Sequence, residues 1–187
     1  MKKICLISML ALAGCKSQQV VEFDSATLAT SGPVEVNVHS FGGNVTIIVD
    51  STVRGTIVSA TQFEDGAGEL PDAVPRMRCT TEIETGVTGQ IVHVVATCNG
   101  NALQLVSADI IVRAKSIHGV SVTTQNGDVT LLGISGSIDI QTKDGNVRVV
   151  TPLMMNERVS IENRRGDIVY RVRGESSGII DATAMYG

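Results

Sequence analysis

Val34, Val36 and Val38 alternate with Glu35, Asn37 and His39, the two-residue period of a strand with one buried face. Gly42-Gly43-Asn44 then reads as a turn, Val45-Thr46-Ile47-Ile48-Val49 as a second strand, and Thr56 to Thr61 as a third. Residues 62–78 break the alternation with two prolines, two glycines and the acids Glu64, Asp65, Glu69 and Asp72, so a solvated loop is expected there. The stretch 79–98 predicts an antiparallel hairpin turning near Gly86-Val87-Thr88-Gly89.

A repeat dominates the second half. Gly127-Asp128-Val129-Thr130-Leu131, Gly136-Ser137-Ile138-Asp139-Ile140 and Gly145-Asn146-Val147-Arg148-Val149 share one layout: a glycine, any residue, then apolar, polar, apolar. Gly166-Asp167-Ile168 and Gly43-Asn44-Val45 open further copies. A fixed short period is the mark of a stacked architecture. Each unit predicts one strand with two inward apolar residues, and Gly43, Gly127, Gly136, Gly145 and Gly166 are expected as corner residues with φ > 0. No unit buries its inner face alone; a stack does. Two nine-residue units per coil would lay Val129 over Val147 and Leu131 over Val149, and Thr151 to Glu157 reads as a loop leaving the coil. The expected fold class is all-β, a repetitive β-solenoid with an inserted antiparallel hairpin.

Composition refines this reading. Nineteen glycines accompany a chain rich in Val, Ile and Thr, without Trp. Three Phe and two Tyr leave few stacking platforms for sugars or single-stranded nucleic acid. Net charge is −4, and −6 once Lys2 and Lys3 leave with an N-terminal leader, so no basic footprint for nucleic acid exists.

That leader is the clearest targeting signal. Lys2-Lys3, the apolar run Ile4 to Leu12, and Leu12-Ala13-Gly14-Cys15 have the layout of a secretory signal peptide. The run is shorter than the roughly 20 residues that span a bilayer. Its ending resembles a bacterial lipobox, which implies cleavage between Gly14 and Cys15 and a diacylglycerol on the Cys15 thiol, the sole covalent group expected; no cofactor is. The expected organisation is a signal peptide over 1–14, a lipidated tether over 15–32 with room for a first strand at its end, and one all-β domain over 33–187. The chain would be anchored to a bacterial envelope membrane. Lys16 follows the lipid site where an inner-membrane retention signal has Asp, and that resemblance points to the outer membrane. With Cys5 in the leader and Cys15 lipidated, Cys79 and Cys98 form an even pair in an oxidising compartment, and a disulfide between them is expected. Pairing them sets Thr81 opposite Ala96, Ile83 opposite Val94 and Thr85 opposite Val92.

Val34–Thr61 and Leu103–Arg173, including Ala108-Asp109-Ile110-Ile111-Val112 and Val120-Ser121-Val122 through Asp144-Gly145-Asn146-Val147, together resemble a large family of bacterial envelope β-solenoid domains labelled "putative adhesin", of unknown function. The resemblance implies no catalytic residues. It implies a structural scaffold or binding module, with an envelope polymer or protein as partner.

Other chemistry falls short. Gly174-Glu175-Ser176-Ser177-Gly178 has the form of a nucleophile elbow, which needs a following helix and a later histidine. His39, His93 and His118 all precede Ser176, and a β pattern follows it, so a serine esterase is the weaker alternative. Arg165-Gly166-Asp167 sits where the repeat needs its turn glycine, and reads as turn chemistry. Asp128, Asp144 and Asp167 supply one acid per turn, too few for calcium's six to eight oxygens, and the histidines lack zinc spacing. No metal site is expected.

Overall fold

A computed structural model describes residues 18–65, 77–85, 90–98 and 106–187, with side chains described over 25–61, 90–97 and 107–187. The described chain is all strand, turn and loop: β1 (Gln18–Leu28), β2 (Val34–Ser40), β3 (Val45–Val49), β4 (Thr56–Asp65), β5 (Met77–Thr85), β6 (Gln90–Cys98), β7 (Val106–Ala114), β8 (Ile117–Asn126), β9 (Val129–Leu132), β10 (Ser137–Asp144), β11 (Val147–Val150), β12 (Val159–Arg165), β13 (Ile168–Arg171) and β14 (Ile180–Tyr186). They form two seven-stranded sheets. One, sheet A, runs β1-β4-β7-β3-β9-β11-β13; the other, sheet B, runs β14-β12-β10-β8-β2-β6-β5.

The fold is the expected β-solenoid. Val129 registers against Val147 and Leu131 against Val149, so the first coil is 18 residues. Ile138 registers against Val120 on one side and Val159 on the other. That second step is 21 residues, as are those from Val147 to Ile168 and from Val159 to Ile180. In the step from Val159 to Ile180 the added residues lie in the turn after β13; in the other two they lie in the turn after β11, at Thr151 to Glu157. This segment does not wander away from the coil. Met155 plugs the interior at 1% exposure, and Met155 O accepts the N–H groups of Ser177 and Gly178 in the next long turn.

Inward residues stack in rows. Ile110, Val45, Val129 and Val147 form one row of sheet A. Val92, Val36, Val120, Ile138 and Val159 face them from sheet B. All are buried, as are Val129, Ile138 and Val147 in one shared core. Burying a Val or Ile side chain contributes about 1.5–3 kcal/mol, and the repeat supplies such a residue at each inward position.

Three expectations need correction. The tether over 15–32 contains β1, an eleven-residue strand that pairs antiparallel with β4 at ten positions from Gln18↔Asp65 to Leu28↔Thr56. Residues 62–65 prolong β4 beyond the predicted loop start, because β1 and β7 flank it on both edges. The hairpin of β5 and β6 exists, but its register is shifted by two: Cys79 faces Ala96 and Met77 faces Cys98. Closing through residues 86–89 sets Thr85 against Gln90, whereas the cysteine-centred register needs a six-residue connection. The shift of two leaves each side chain on its expected face. The cysteine side chains, the turn 86–89, and Gly14 and Cys15 lie outside the described residues.

The β2–β3 coil lies between β6–β7 and β8–β9, although it precedes both in sequence. The chain returns through the antiparallel strands β4 and β5 to lay the β6–β7 coil beneath it. Those antiparallel strands, with β1, close that end of the stack.

Candidate functional site

At the corner leading into sheet A, five residues occupy equivalent positions: Asp109, Asn44, Asp128, Asn146 and Asp167. Each of the first four accepts, through a side-chain oxygen, the backbone N–H of the next. Asn44 N–H donates to Asp109 Oδ1 at 2.7 Å, Asp128 N–H to Asn44 Oδ1 at 3.0 Å, Asn146 N–H to Asp128 Oδ1 at 2.7 Å, and Asp167 N–H to Asn146 Oδ1 at 3.0 Å. Of the carboxylates that suggested calcium, Asp128 is thus an acceptor in an Asx ladder that satisfies turn backbone, Asp167 joins that ladder through its N–H, and Asp144 pairs with Arg165. Among the described residues no group of three or more His, Cys, Asp and Glu could hold a metal ion.

Gly43, Gly127, Gly145 and Gly166 turn the chain at this corner, and Gly136 at the opposite one. Gly43, Gly127, Gly136, Gly145 and Gly166 have φ of 98°, 117°, 90°, 132° and 121°. At Gly127 a Cβ would fall on the carbonyl oxygen of Gly43 in the coil beneath, so both φ and space require glycine.

Arg165, Gly166 and Asp167 belong to the same corner. The Arg165 guanidinium forms an ion pair with Asp144 of the neighbouring strand, with Nη2 donating to Oδ2 at 2.8 Å, and Asp167 is in the ladder. Ser176 is equally committed. Its hydroxyl donates to Arg173 O at 2.7 Å and accepts the Met155 N–H at 2.9 Å. It brackets the two long turns. His39, His93 and His118 lie on β2, β6 and β8, away from that turn. In the turn after β3, the Thr52 hydroxyl and N–H hold the exposed carboxyl of Asp50 below its usual range.

A surface open to a partner is the outer face of sheet B. Register aligns His93, Asn37, Ser121, Asp139, Ser160 and Asp181 in one row. The next row holds Val95, His39, Thr123, Gln141, Glu162 and Thr183. Neighbouring strands are about 4.8 Å apart, so each row presents one side chain, mostly short and polar, at that interval. A shallow groove of about 400 Å³ runs beside the second row, lined by Gln125, Gln141, Lys143, Glu162, Arg164 and Met185. Neither the ladder nor these rows were anticipated from sequence. The ladder did leave a signal: the residue after the glycine at this corner is always Asn or Asp.

A family model, Toastrack DUF4097, matches residues 35–187. The chain belongs to the Toastrack family. No curated protein sequence matches it. Among solved structures, the Toastrack chain is similar to a "putative cell adhesion protein" from Clostridium sporogenes, at 7% identity and a TM-score of 0.59, covering 87% of this chain and 99% of that one. At that identity the likeness shows a shared fold. The antiparallel strands β1, β4 and β5 close one end of the stack of coils.

Proposed function

We propose that this Toastrack protein is a non-enzymatic binding module of the bacterial envelope, held by a diacylglycerol on Cys15, which engages an envelope polymer or protein through the outer face of sheet B. The observation that carries the reading is the in-register array of polar side chains from His93 to Asp181 and from His39 to Thr183. A flat face with a fixed interval suits a partner that also repeats, and a protein described as a "putative cell adhesion protein" shares the fold. Mutual support comes from the lack of a free nucleophile at Ser176.

The test is co-sedimentation of the full chain with purified envelope polysaccharide. Replacing Thr123, Gln141 and Glu162 by Ala should abolish pelleting while the melting temperature holds. Unchanged pelleting, or none by the wild type with envelope polymers and proteins alike, ends the reading. Ser176→Ala should leave any ester hydrolysis at background; loss of a real signal would restore the esterase. For the anchor, a fatty-acid analogue should label the wild type and not Cys15→Ala, in an outer-membrane fraction. The Cys79–Cys98 disulfide stays within the proposal, with diagonal cysteines, about 7–8 Å apart between Cα atoms, drawn together; peptide mapping without reduction tests it.

A further inference from the structure

Cys15 and Gln18 are three residues apart. Three residue steps span at most about 11 Å whatever their conformation. Gln18 is no longer part of a tether: it is the first residue of β1, paired with Asp65 at the far end of β4. That end overhangs the coils. Ala60 registers with Ile110, and Ile110 with Val45, so Asp65 lies five residues beyond the level of Val45, roughly 17 Å at 3.3 Å per residue.

We infer that the phospholipid bilayer carrying the diacylglyceryl Cys15 is the docking partner of the overhanging β1–β4 end, which is held against the membrane and stands between it and the coils. This rests on lipidation of Cys15 and goes beyond it, since a lipid on a 17-residue tether would leave the domain free to drift by tens of ångströms. The geometry permits no such drift while β1 stays paired. The ten pairs from Gln18↔Asp65 to Leu28↔Thr56 make β1 part of sheet A. The opposite edge, β13, is six strands from β1, about 29 Å along the stack.

Distance to the bilayer decides the matter. The chain has no Trp, so a single introduced Trp reports alone by energy transfer to a dansyl lipid in vesicles of phosphatidylethanolamine and phosphatidylglycerol. Asp65→Trp in the full lipidated chain should transfer several-fold more strongly than Val169→Trp on β13. Inserting twenty Gly and Ser residues after Ser17 should reduce the Asp65→Trp signal to the Val169→Trp level. Glu64→Trp, at the position paired with Gln19, repeats the reading should Asp65→Trp not fold. Labelled protein whose Asp65→Trp transfer is weak, or unchanged by the insertion, overturns the inference alone. Protein that takes up no fatty-acid analogue on Cys15 overturns the anchor, and the inference with it.

Discussion

Asp128 receives the backbone N–H of Asn146 through Oδ1 at 2.7 Å, and the Asn146 amide through the same oxygen at 3.2 Å, from a residue 18 positions on. Asn146 in turn receives Asp167. The coils are therefore linked at this corner by side chain as well as by sheet hydrogen bonds.

This linkage predicts the cost of breaking it. Asn146→Ala removes the acceptor for Asp167 N–H and the amide donor to Asp128. Because the sites are exposed and water replaces part of each bond, the loss should be about 1 kcal/mol, a drop of roughly 2–4 °C in melting temperature for a chain of this size. Asn146→Asp keeps an acceptor but sets a carboxylate between Asp128 and Asp167, and should be recoverable with salt. Thermal melts at low and high ionic strength check both; an unaltered melt for Asn146→Ala would remove the ladder from the stability of the fold.

Backbone space makes a sharper contrast between two glycines. Gly127→Ala puts a side chain into a backbone with φ of 117° and onto the Gly43 carbonyl. It should cost at least about 2–3 kcal/mol. Gly174→Ala meets nothing within 4 Å and should stay within about 0.5 kcal/mol of the wild type. Urea unfolding of the two variants side by side separates a corner glycine from a turn glycine of convenience.

How much of this was legible beforehand follows from which forces are local. Alternation and the repeat glycines are local, so the strands from Val34 onward and the stacking of Val129 on Val147 could be read directly. What pairs with what across long gaps could not. β1 lacks a clean period because it is itself the edge strand of sheet A, where none of its described side chains is fully buried, and Gln18–Leu28 read as tether. The hairpin register followed the cysteines in the reading but follows its four-residue connection in the fold. The ladder was hidden for another reason. Gly136-Ser137 belongs to the opposite corner, and merging both corners into one motif turned an invariable Asn or Asp into "any residue".

Core rows give a third prediction. Ile47 is fully buried between Val112 and Leu131, and Ile47→Ala should cost about 2–5 kcal/mol, as deletions that leave an interior cavity do. Ile179 is of the same type but 73% exposed, and its replacement by Ala should change stability by less than about 0.5 kcal/mol. Equal effects in denaturant melts would contradict the placement of the two sheets' inner faces.

Tyr170 continues the row of Leu131 and Val149 on β13, and its hydroxyl is buried without a hydrogen-bond partner. Burial raises the phenol above its ordinary value of 10.0, because the phenolate would lose hydration. In the unfolded chain the same group ionises near 10.0. As pH rises through that value the unfolded state sheds a proton that the folded state still holds, so stability falls from there up to the raised folded value and is complete below it. Tyr170→Phe removes this dependence together with an unsatisfied hydroxyl. It should be neutral or slightly stabilising at pH 7 and should flatten the decline above about pH 10. Urea melts at pH 7, 9 and 10.5 check this. A variant markedly less stable at pH 7 would mean that the hydroxyl has a partner, and an unchanged alkaline slope would mean that Tyr170 ionises alike in both states.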